Sequence, residues 1–129
     1  MGRRRVAFFN EMDAPAVRVQ LPAGEAFEAA LVDAAAKYAA RRGFSEAVEA
    51  AFVATVDAAV RAVATAGPSA ITLEAASDEQ QVDATVSGID PSGSMSTEAV
   101  DHARRSGAAL RRVDAAPTGA AVRIVASLP

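Results

Sequence analysis

Asp57 and Arg61 stand four residues apart in a stretch, Phe52 to Gly67, whose apolar residues recur at helical spacing. One helical face therefore carries a carboxylate a single turn ahead of a guanidinium. A guanidinium has only donors, so Arg61 could contact a phosphate or a partner carboxylate but could not ligate a cation. Near a helix end it also fits as a solvated residue that the helix dipole favours, and a helix carboxylate such as Asp57 most often sits at the surface. Further on, Gly88-Ile89-Asp90-Pro91 and Ser92-Gly93-Ser94 form a glycine- and serine-rich loop. Asp90 suits a turn before proline, and no Gly-x-Gly pair opens the next helix to offer backbone N–H groups to phosphate. The serines of that loop have no visible His/Asp partners and no Gly-x-Ser-x-Gly elbow. His102, the only histidine, lies beside Asp101 with no second metal ligand at helical spacing, which reads as a surface residue. No metal, thiol or triad chemistry is legible.

The bulk properties narrow the classes further. With 129 residues and 51% hydrophobic content, one domain spanning residues 1–129 with one sizeable core is expected. Thirteen Lys+Arg against sixteen Asp+Glu give a net charge of -3, which provides no field for binding nucleic acid by counterion release. The run Arg3-Arg4-Arg5 leads directly into Val6 to Phe9 and reads as the start of a strand. The absence of cysteine and of a signal-like apolar region favours a cytoplasmic protein. The apolar stretches are broken by charge well short of the ~18 residues of a membrane span, so no membrane partner is expected. Aromatics make up only 5%, leaving no stacking platform for bases or sugars.

Several elements must position these residues. Val6 to Phe9 and Val17 to Leu21 read as short strands separated by Asp13 to Pro15. From Glu25 to Arg42, Phe27, Leu31, Ala34, Ala35 and Tyr38 recur at helical spacing, with acids in the first turn and arginines in the last. Ser45 caps a second helix whose buried face is Phe44, Val48, Phe52, Val56 and Val63, and which stops at Gly67-Pro68. Ser69 to Ala76 and Gln81 to Ser87 flank a polar turn of hairpin length. A third helix is expected from Thr97 to Arg112, with Val100, Ala103, Gly107 and Leu110 facing inward, and a last strand from Ala121 to Leu128. This order predicts an α/β (α+β) two-layer sandwich, a mixed and mostly antiparallel sheet covered on one face by three helices. Were the first two helices one element, the order would reduce to the ferredoxin-like plait of dimeric ligand sensors. Gly43 and the Ser45 cap argue for two.

Taken in order, Leu21 to Ala23 before the first helix, the Gly43 to Ser45 junction, the hairpin leading to Gly88-Ile89-Asp90 and the closing Gly119 to Ile124 resemble the GHKL, or Bergerat-fold, ATPases. The resemblance runs from about Val17 to Leu128 and is nearest to the anti-sigma-factor serine kinases. It rests on order and spacing. In that family the second helix carries a glutamate, an asparagine four residues later and a histidine near its end, and these places fall on Asp57, Arg61 and Thr65. The family asparagine gives Mg²⁺ a neutral oxygen, which Arg61 lacks. Asp57 keeps a carboxylate one methylene shorter than the glutamate that acts as general base. The adenine-reading Asp-x-Gly becomes Gly88-Ile89-Asp90, the glycine-rich lid is reduced to isolated residues such as Gly93, and the closing threonine becomes Ala120.

The resemblance therefore implies a Bergerat-like fold with a degenerate pocket formed by Arg61, Gly88, Asp90 and Gly93, without Mg-ATP chemistry and with no cofactor. It implies a regulatory module that binds a sigma factor or an antagonist protein, with Lys37, Arg41 and Arg42 of the first helix as partner-binding candidates and a homodimer among the expected states. Two other functions fit the same residues. One is a divergent serine kinase that uses ATP and Mg²⁺, with Asp57 as base and Asp90 on adenine; the other is a homodimeric small-ligand sensor.

Overall fold

The computed structural model describes residues 17–129. The arginine run, the expected strand at Val6 to Phe9 and the Asp13 to Pro15 break lie outside the described residues. The elements follow as β1 (Val17–Pro22), α1 (Glu25–Arg41), α2 (Glu46–Ala64), β2 (Ala70–Ser77), β3 (Gln81–Ile89), α3 (Thr97–Ser106), β4 (Arg112–Thr118) and β5 (Ala121–Ser127). The five strands form one sheet in the order β1-β2-β3-β5-β4. Every pairing in it is antiparallel, and with three helices on one face this is the expected two-layer α+β sandwich with a mostly antiparallel sheet.

Alternation along each strand builds one apolar face. Val19, Leu73, Val86 and Val122 lie abreast across four strands, and Val17, Ala75, Ala84, Ile124 and Ala115 lie abreast across all five. On β2, β3 and β5 these side chains are fully or almost fully buried. The opposite face carries Arg18, Glu74, Asp83 and Arg123, joined by a 2.9 Å ion pair from Arg18 to Glu74 and a 2.6 Å pair from Arg123 to Asp83. Because a strand's side chains alternate, this division dictates the two-layer design.

The helices cover the apolar face. Ser45 caps α2 by accepting the Val48 N–H at 3.3 Å, as its sequence predicts. Phe52, fully buried, sits between the rings of Tyr38 and Phe44, whose centroids are 6.1 and 6.2 Å away. Thr55, also buried, donates to the Ala51 carbonyl, so the one hydroxyl deep in α2 is satisfied within its own helix. α1 and α2 are separate helices, turned at Gly43, which excludes the single crossover of a ferredoxin-like plait. No helix among the described residues is long and apolar enough to cross a membrane.

Two expectations differ from the structure. Phe27 is 43% exposed, because it lies in the first turn of α1 beside Gly24 and misses the core. α3 ends at Ser106 and does not reach Arg112. Gly107 comes so close to Val113 that a Cβ there would overlap its side chain, and Leu110 is buried from a turn. The segment from Arg112 is β4, an edge strand tied to α3 by Arg104, which donates to the Ala115 carbonyl at 2.9 Å.

Candidate functional site

Asp57 and Arg61 occupy the flank of α2 that meets the start of α1. With Glu25, Glu28, Ala29 and Val60 they line a cavity of about 420 Å³. Arg61 Nε donates to the Asp57 carboxylate, the closest approach being 3.3 Å; the arginine is largely in solvent and the aspartate half-buried. This is an i,i+4 pair, so the carboxylate is already engaged by a cation from its own helix. No cluster of three or more His, Cys, Asp or Glu residues placed to share a metal ion occurs among the described residues.

Gly88 and Gly93 gather just beyond Arg61, around the C-terminal end of α2, with Asp90 in the loop between them. Arg61 precedes Thr65 by one turn, about 6 Å along the axis. At Gly88 a Cβ would stand 2.9 Å from Pro68 Cβ and 3.1 Å from Val63 Cγ1. β3 is thus pressed against the exit of α2, and no side chain fits at this position without movement. The Gly88 N–H donates to the Ala120 carbonyl at 2.9 Å, which gives both residues a structural task. Asp90 is exposed with φ of 50°, the left-handed conformation that aspartate tolerates better than most residues, and it turns the chain ahead of Pro91.

The loop beyond Asp90 folds back on α2. The N–H groups of Ser92 and Gly93 both donate to the Ala66 carbonyl, and the Ser96 N–H donates to Thr65 Oγ1 at 2.7 Å. Thr65 Oγ1 in turn donates to the Ala62 carbonyl at 2.6 Å. The end of a helix leaves carbonyls without partners, and here the loop and the Thr65 hydroxyl meet that need. Ser96 then caps α3 by accepting the Ala99 N–H at 3.2 Å. Thr65, Ala66 and Ser96 are therefore the residues that fix the loop. Sequence reading placed Thr65 at the family's histidine but had no signal for its bond to Ser96, since that contact depends on where the loop lands.

The three cations of α1 differ in what they do. Lys37 pairs with Asp33 at 3.0 Å, and Arg42 donates to the Ser77 hydroxyl at 3.1 Å, so it pins the helix end to β2. The same hydroxyl accepts from Tyr38 at 2.7 Å. Burial pushes the Tyr38 phenol above its ordinary pKa, outweighing the Ser77 bond and the nearby Arg42 charge. Arg41 is exposed and lines a groove with Val17, Ala34 and the other two cations. His102 is exposed on α3, with Nε2 3.5 Å from the hydroxyl of Ser106.

No protein-family model and no curated protein matches this chain. Among solved structures it is similar to the crystal structure of the RsbU and RsbW domains of Rv1364c from Mycobacterium tuberculosis. The likeness has a TM-score of 0.61 at 14% identity, over 89% of this chain and 33% of the other. The chain thus spans about a third of the length of the structure it matches, and what the two share is the fold.

Proposed function

We propose that this chain is a cytoplasmic regulatory module of anti-sigma type, which acts by binding a sigma factor or an antagonist protein and carries out no Mg-ATP chemistry. The fold it shares with a structure containing an RsbW domain supports the first half, together with the matching order of elements from Val17 to Leu128. The observation that carries the second half is the anchoring of the loop after β3. Its Ser92, Gly93 and Ser96 N–H groups, where the family's lid would offer donors to phosphate, are bonded to the end of α2.

The remaining positions support the same reading. Arg61 stands where the family places a neutral oxygen ligand for Mg²⁺, and its charge would repel the ion. Asp57 is held by that same arginine. Gly88 stands where the family places the adenine-reading acid, and close packing on Pro68 leaves no room for one. These residues do not fit a magnesium nucleotide.

Co-purification from the source cell, with chemical cross-linking and mass spectrometry, tests the partner. Recovery of a sigma factor or a small antagonist protein is expected, cross-linked through the helical layer. Repeated recovery of neither would refute the reading.

A further inference from the structure

The solvent side of α1 and α2 forms a broad groove of about 660 Å³. Its floor is Ala29, Val32, Ala36, Ala50, Val53 and Ala54, with Ala29, Ala50 and Ala54 exposed and both valines part-buried. Small side chains here do not fill the space between two helices, so the groove is open to a third helix lying along it. Glu46, Glu49 and Asp57 edge it, and the adjoining cavity, which shares Ala29 and Asp57, adds Glu25, Glu28 and Arg61. The walls thus carry five carboxylates and one guanidinium, and that guanidinium is paired to Asp57.

We infer that this groove docks a helix of a partner protein, one whose small apolar stripe is flanked on both sides by lysine or arginine. The inference rests on the protein-binding reading above and specifies the chemistry of the partner. It also moves the contact away from the α1 cations, two of which are engaged locally. A helix laid into a groove buries its apolar face, and a rim of one sign selects the opposite charge on its flanks. A second copy fits poorly as occupant. Two-fold pairing would set the acidic rim against itself, with like charges facing across a partly desolvated seam.

The test is a fluorescence-anisotropy titration of the full chain with two labelled helical peptides of about five turns. Both carry an alanine and leucine stripe; one is flanked by lysine and the other by glutamate. The lysine peptide should bind at least about tenfold tighter than its counterpart and weaken as salt rises from about 0.05 to 0.3 M. Ala54→Lys, at an exposed position, and the pair Glu46→Gln with Glu49→Gln should each weaken it about tenfold, while Arg105→Ala on α3 should not. Equal affinity for the two peptides, no binding of either, or insensitivity to the groove variants would overturn the inference. So would sedimentation showing a dimer that Ala54→Lys dissociates, since the occupant would then be a second copy. A magnesium-dependent nucleotide response would sink the proposed function and leave the groove result standing, so the two failures are distinguishable.

Discussion

At the scale of single residues, the proposed lack of Mg-ATP chemistry turns on two positions. Arg61 is a cation paired along its helix, and Gly88 lies in close contact with Pro68. On the proposed reading, asparagine at 61 or aspartate at 88 should therefore not create nucleotide binding. Arg61→Asn should change stability by only about 0.5 kcal/mol, the worth of an exposed i,i+4 pair, and should confer no magnesium-dependent nucleotide binding by calorimetry. Gly88→Asp should cost roughly 1–3 kcal/mol in urea unfolding, because a side chain must displace Pro68 or Val63. Asp78 offers a test by pH. Its carboxylate accepts the N–H groups of Gln80 and Gln81 at 2.7 and 2.9 Å, which holds its pKa below the usual aspartate value. A carboxyl with a lowered folded pKa stabilises above its unfolded pKa and loses that contribution as pH falls through the folded one. The stability gap between the natural chain and Asp78→Ala should be open near neutral pH and close in acid.

At the scale of elements, the helices and the central hairpin were legible because their signals are local. Ser45 with Glu46 and Glu49 marks the start of α2, and Asp78 with its neighbours marks the turn between β2 and β3. β4 was not legible. Its sequence Arg112 to Thr118 contains two alanines and Pro117, poor strand residues, while Gly107 and Leu110 prolong the helical spacing of α3 past its real end. Position in the sheet explains the difference: an edge strand tolerates a proline whose missing N–H has no ladder partner to serve. Phe27 was misread for a related reason, since spacing identifies a face but not how far the sheet extends beneath it. The candidate site shows the same limit. Sequence spacing places Arg61, Gly88 and Asp90 along the chain, whereas the loop's attachment to α2 is a tertiary contact. Thr65→Val removes the acceptor for the Ser96 N–H and should cost about 1 kcal/mol, with faster hydrogen exchange at Ser92, Gly93 and Ser96.

At the scale of the whole molecule, α2 is the axis on which fold and function meet. Its buried face, from Val48 to Val63, packs on the sheet between α1 and α3, and its C-terminal end anchors the loop after β3. Phe52→Ala at the centre of that face should lose about 3–5 kcal/mol in equilibrium unfolding, a large part of what a domain of this size possesses. Its solvent side presents the acid-rimmed groove, so a single helix separates the apparatus of stability from the surface offered to a partner. The central claim is that this arrangement keeps the Bergerat-like fold without its magnesium nucleotide. Thermal unfolding of the full chain with ATP and ADP, each with and without Mg²⁺, tests it most directly. A ligand at about 100 times its dissociation constant stabilises by roughly 2.7 kcal/mol, which would raise the midpoint by several degrees. The midpoint should stay the same under all four conditions; a rise that requires Mg²⁺ would show a working nucleotide site.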